Sequence, residues 1–166
     1  MRMALSGLML LLFWFMLYSN QVNIDMEVKA AQQLSMSAQL AAHDASLVIS
    51  PSSIGTGDAV FDQAGSSQVF QRTFDDNAGF DPNTGQALPT SLYQGSVALL
   101  YQGFIDYSNQ ATFPFDYVNS AYGIHIVLTD PAVIFVVQVT SKAYTVFSKP
   151  QTFTYPVIYQ YNPGAA

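Results

Sequence analysis

The chain has 166 residues, half of them hydrophobic, but only 10% charged, against roughly 25% in an ordinary soluble domain. Eleven Asp and Glu against five scattered Lys and Arg give a net charge of −6, which excludes the clustered cations that a nucleic acid requires. The absence of cysteine excludes disulfides, thiolate metal sites and a thiol nucleophile, and two histidines, His43 and His125, leave little for His-based catalysis.

The first element decides the class. No residue from Met3 to Ile24 is charged, and Leu8, Leu10, Leu11, Leu12, Phe13, Trp14, Phe15 and Leu17 belong to an almost continuous apolar run. A run of this kind predicts a membrane anchor over residues 1–20. Phe13, Trp14, Phe15 and Tyr18 stand at its outer end, where amphipathic rings favour the headgroup layer. Arg2 precedes the span and Asp25 and Glu27 follow it, so the positive-inside bias predicts a cytoplasmic N-terminus and an extracytoplasmic remainder. The competing reading is a cleaved secretory signal, for which Leu17-Tyr18-Ser19 is a poor cleavage site and Val28-Lys29-Ala30 lies too far along.

Neither Gly nor Pro interrupts Leu8 to Ser50, and Pro51 is the first firm stop. The spacing predicts one helix from about Met3 to about Leu47, with residues 21–47 continuing the anchor outside the bilayer. Ile24, Val28, Ala31, Ser35, Ala38, Ala42 and Ala45 alternate steps of four and three and line one face. Ala38 with Ala42, and Ala41 with Ala45, form small-xxx-small pairs that admit a second backbone. The face serves equally for the chain's own domain and for helices of neighbouring subunits. His43 and Asp44 are adjacent, so they are expected to project differently and form no dyad.

The stretch Ala30-Ala31-Gln32-Gln33-Leu34 through Leu40-Ala41-Ala42-His43-Asp44-Ala45, behind a short N-terminus and an apolar helix, resembles type IV pilin-like proteins, most of all TadE-type pseudopilins of tight-adherence systems. The resemblance covers the first 47 residues or so. Pilin precursors are typically cut after a Gly, with a Glu five residues into the mature chain; here Gly7 offers the cut and Leu12 stands at the acidic position. The resemblance therefore implies an uncut minor or accessory subunit, partnered by the membrane and by copies of itself or other pilin-like subunits through the N-terminal helix.

Residues 48–166 read as a β-rich domain. Ser50 to Gly57 is a Ser/Gly/Pro linker, Asp58 to Ala78 holds a short helix whose start is blurred by Gly65-Ser66-Ser67, and Asp75 to Thr90 is a loop. The period then becomes two. Val97, Leu99, Tyr101, Gly103, Ile105 and Tyr107 form one alternating set, and further strands are expected at Tyr122 to Leu128, Ala132 to Phe147 and Gln151 to Tyr161. Pro156 marks the last as an edge or bulge, and Thr129-Asp130-Pro131 offers a tight connection. The expected fold class is α+β, pilin-like in build: a long N-terminal helix packed on a small antiparallel sheet. The inward phase would be Ile124, Ile126, Leu128, Val133, Phe135, Val137 and Val139. Nine of the ten tyrosines lie between Tyr93 and Tyr161, as strand composition or as a contact surface.

Chemistry is sparse. Asp75, Asn77, Asp81 and Asn83 place oxygen ligands at intervals resembling a calcium loop, without the closing acid of an EF-hand, so no metal and no cofactor is expected. His125 sits between Ile124 and Ile126 as a structural or solvent-facing residue, and the spacing of Asp58, Asp62, Asp106 and Asp116 does not favour an acid–base pair over solvation. Phosphate-loop, nucleophile-elbow and zinc-protease motifs are missing. The expectation is a structural or assembly protein of a pilus-like filament or secretion system, without enzymatic activity or small-molecule substrate. The alternatives are a monomeric tethered domain and a signal-cleaved secreted β-domain binding protein.

Overall fold

The computed structural model describes residues 2–55, 57–109, 112–146 and 148–161, with side chains from Ser6 onward. Helix α1 runs unbroken over Arg2–Ser46, 45 residues, or about 67 Å at 1.5 Å per residue. Helix α2 spans Gln63–Ala78, further than the loop expected from Asp75. Its start is fixed by Asp62, whose side chain accepts from the Gly65 amide at 3.1 Å, and its end by Gly79, left-handed at φ 80°. Gly65 and Ser66 thus open the helix rather than break it. The Ser66 hydroxyl is buried and donates to the Ala45 carbonyl at 2.9 Å, closing α2 against the end of α1.

Five strands follow: β1 (Tyr93–Ile105), β2 (Phe115–Asn119), β3 (Ile124–Leu128), β4 (Ala132–Ser141) and β5 (Thr152–Gln160). They make a three-stranded antiparallel sheet in the order β1-β4-β5 and a separate β2-β3 hairpin. This corrects the expectation of one four-stranded sheet: β3 leaves the main sheet because its partner is β2, a five-residue strand that sequence reading passed over. Pro156 does lie on an edge strand, β5, where a missing amide costs least. The expected extension of β4 to Phe147 ends instead at Ser141, and Phe147 itself lies outside the described residues.

The molecule is layered as helices, sheet and hairpin, with β4 in the middle. Val133, Phe135, Val137 and Val139 face the helices, whereas Ala132, Ile134 and Val136 face the hairpin with Ile124 and Leu128. The single expected core is therefore two cores on opposite faces of β4, since a strand covered on both sides buries both phases. On the helix side Phe70 stacks on Phe135 with centroids 3.8 Å apart, and Phe104 meets Phe135 edge to face at 5.9 Å.

The expected alternation on β1 is also corrected. Val97 packs on the helix side, but Tyr101 and Ile105 pack on the hairpin side with Phe104 turned to the helices. Register shifts between Gln94 and Ala98 and between Leu99 and Tyr101 move the later residues to the other face.

Candidate membrane span and helix-packing faces

Helix α1 has two parts with opposite surroundings. In the first, Leu8, Leu10, Leu11, Leu12, Phe13, Trp14, Phe15 and Leu17 are each between 51% and 70% exposed, on every side of the helix. A helix apolar all round is stable when something apolar surrounds it. α1 is long and apolar enough to cross a bilayer, and it is the one such helix among the described residues. Trp14 stacks on Tyr18 at 5.6 Å, one turn apart, which places a paired aromatic surface at the outer end of the apolar run.

The second part, from Ala30 to Ser46, docks on the domain. Ala30, Leu34, Ala38, Ala41, Ala42 and Ala45 are buried in the helix-side core. Ala31 is half-buried, and Ile24 and Val28 are exposed. The packed face is thus rotated from the expected one: Ala30, Leu34 and Ala41 join Ala38, Ala42 and Ala45 in the core, and Ala31 and Ser35 lie at its margin. The alanine pairs Ala38/Ala42 and Ala41/Ala45 are occupied within the chain, letting α2 approach closely.

Tyrosines join the layers. The buried Tyr93 hydroxyl donates to the Ala30 carbonyl at 2.6 Å, and burial pushes its pKa up, so it remains a donor. The Tyr155 hydroxyl accepts from Ser35 at 2.8 Å and from Gln39 at 3.2 Å. Tyr159 meets the His43 ring edge to face at 5.0 Å. The Tyr101 and Tyr117 hydroxyls, 2.8 Å apart, bridge sheet and hairpin. His43 Nδ1 lies 3.1 Å from Asp44 Oδ1, which corrects the expectation that adjacent residues could not meet. Asp44 is drawn across the helix surface because its other oxygen accepts from the Thr73 hydroxyl at 3.1 Å.

The oxygen-rich stretch does not assemble into one site. Asp75 is fully buried inside α2, and neither of its carboxylate oxygens has a hydrogen-bond partner. Burial, then the charges of Asp76 and Asp81, raise its pKa to about 6. The Asn77 side chain donates to the Thr73 carbonyl at 2.8 Å. Asp81 accepts from the Asn83 amide at 2.9 Å, and this bond, with help from Thr84, lowers its pKa. Among the described residues no group of three or more His, Asp or Glu side chains is placed to hold a metal.

The remaining titratable candidates have separate partners. Asp106 is buried and accepts from the Phe61 amide at 3.0 Å and the Ser108 amide at 2.9 Å, Asp62 caps α2, and Asp116 meets the exposed His125 at 3.0 Å across the β2-β3 hairpin.

The fold and these surfaces define a class: an α+β protein whose one long helix carries an exposed apolar segment at one end and an antiparallel sheet domain at the other. Comparison with protein-family models, with curated proteins and with solved structures finds no match to the chain, so the functional reading rests on its own residues.

Proposed function

We propose that the chain is a membrane-anchored structural subunit or assembly component of a pilus-like filament or of a secretion or adherence system, with no catalytic role. The N-terminus of α1 is cytoplasmic and the domain extracytoplasmic. The observation that carries this reading is continuity: the lipid-compatible segment Leu8–Leu17 and the docked alanine face Ala38–Ala45 belong to one helix, Arg2–Ser46. A rigid rod fixes the height and orientation of the domain above the bilayer, which a flexible tether would not do.

Assembly uses the faces that the domain leaves free. In the bilayer these are the apolar sides of Leu8–Leu17. Outside it, Lys29, Gln33, Met36 and Leu40 line a groove of about 660 Å³ along α1, with Met36 72% exposed. A neighbouring helix in that groove would cover Met36 and Leu40, both adaptable apolar side chains. One observation favours a lone tether instead: the face best suited to close helix packing, Ala38–Ala45, is filled by the chain's own domain.

Site-directed crosslinking separates the two, and the chain lacks native cysteine. Met36→Cys in native membranes is expected to give crosslinked dimers and higher species, whereas Gln68→Cys, exposed on α2, gives none. Monomer alone at both positions would support the lone tether.

A further inference from the structure

We propose that residues 144–146 and 148–149, in the connection between β4 and β5, form a second membrane contact, resting in the phospholipid headgroup layer beside α1. This inference rests on the membrane-anchor reading of α1 and assigns the partner of a surface which that reading leaves unexplained.

The height of the segment follows from the register of β5 against α1. Tyr155 meets Ser35, and Tyr159 meets His43. Four residues of strand advance about 13 Å, and eight of helix about 12 Å, so β5 climbs alongside α1. Extending this line back from Thr152 reaches the level of Val28, and the residues before β5 lie lower still. Tyr144 donates to the Leu92 carbonyl at 2.7 Å and lies close enough to Glu27 for that charge to act on it. Thr145 and Ser148 then line a cavity of about 340 Å³ together with Phe13, Met16, Leu17, Asn20 and Asn23. Phe13, Met16 and Leu17 lie within the apolar run. A segment beside them cannot remain in bulk water while they are in lipid.

Three further observations agree. Ser19 is the single buried residue between Ser6 and Lys29, 6% exposed, at the level of this cavity. Val146, at the turn of the segment, is 86% exposed, the highest value for a large apolar residue among the described residues. Two of the chain's three lysines, Lys142 and Lys149, fall here although the chain is acidic overall. Lys142 is committed to the fold, donating to the Pro89 and Ser91 carbonyls at 2.8 and 2.6 Å. Lys149 is exposed and supplies the charge that a phosphate headgroup attracts. An apolar tip beside a lysine, held level with an aromatic belt, matches an interfacial anchor.

The absence of native cysteine makes single-site labelling unambiguous. Full-length protein carrying Val146→Cys, Val118→Cys or Leu10→Cys, each labelled with an environment-sensitive fluorophore, is reconstituted in phosphatidylglycerol/phosphatidylcholine vesicles. Nitroxide lipid labelled near the headgroup is expected to quench the Val146 probe, and iodide to quench the Val118 probe on the outer hairpin. Lipid labelled deep in the chain quenches the Leu10 probe. Adding Lys149→Gln, which removes one positive charge, lowers the immersed-to-exposed ratio at Val146 about fivefold, from roughly 1 kcal/mol per basic residue at an anionic surface. If iodide quenches Val146 as it quenches Val118 while Leu10 stays lipid-quenched, the loop contact is wrong and the anchor stands. If Leu10 is itself reached by iodide, both are wrong.

Discussion

The Tyr93 hydroxyl sits 2.6 Å from the carbonyl oxygen of Ala30, the first buried residue of the docked half of α1. The first residue of β1 is thereby tied to the helix where its buried face begins. Tyr93→Phe keeps the ring stack on Phe80 and removes only the hydroxyl. The expected loss is about 1 kcal/mol, seen as a lower thermal midpoint in detergent. An unchanged midpoint would mean the bond adds nothing to the docking.

The core on the helix side is organised around Phe135, which touches Phe70 and Phe104. Phe135→Ala is expected to cost about 3–5 kcal/mol, enough to unfold the domain in part, as read by near-UV circular dichroism. Val127→Ala, on the exposed face of the hairpin, should change stability by less than about 0.5 kcal/mol.

Much of this architecture was legible in the sequence, for physical reasons. α1 was readable because helix-forming residues run without a break to Pro51, β4 because a continuous β-branched and aromatic run follows Thr129-Asp130-Pro131, and β5 because Thr alternates with aromatic residues at its start. The packed face of α1 was harder to read. Alanine at 30, 31, 38, 41, 42 and 45 falls on one side of the helix, which is the buried side; the expected face lay to one flank of it because it was traced through Ile24, Val28 and Ser35 and left out Ala30, Leu34 and Ala41. β2 was missed because five residues after Pro114 give too short a pattern. The split of one expected core into two depended on which strand became central, which is a property of pairing and not of any one segment. Tyr144 and Thr145 looked like a continuation of β4, yet they leave the sheet to approach the lower part of α1.

Replacement of the packed alanines separates their role in the fold from a role between subunits. Ala42→Leu inserts three carbons where no exposed surface exists and is expected to destabilise the domain by about 1–3 kcal/mol. Met36→Ala, on the exposed face, should leave the thermal midpoint nearly unchanged while lowering crosslinking between copies through a cysteine placed at Leu40 in the same groove. The opposite pattern would place the subunit contact on the alanine face.

Asp75 makes stability depend on pH. Its carboxyl is buried without a partner, and its pKa is raised to about 6. Well below the ordinary carboxyl value of 3.8 the group is protonated both folded and unfolded and carries no charge; between that value and about 6 the unfolded chain ionises while the folded one does not, and above about 6 the folded state must bury a charge. Stability from this group is therefore lost with rising pH, by at most on the order of 2–3 kcal/mol. Asp75→Asn should flatten the fall in thermal midpoint between about pH 4.5 and about pH 7.5 relative to the unmodified chain. Parallel profiles for the two proteins would refute the assignment.

Continuity of α1 is tested most directly by the distance between spin labels at Leu10 and Met36, both exposed on the helix. In proteoliposomes, double electron–electron resonance is expected to give one narrow distribution near 39 Å, from 26 steps of about 1.5 Å. A broad or much shorter distribution would show a hinge between span and domain. Loss of the Leu10 label from the mature chain, read as intact mass, would show that the apolar segment is a removed signal and not an anchor.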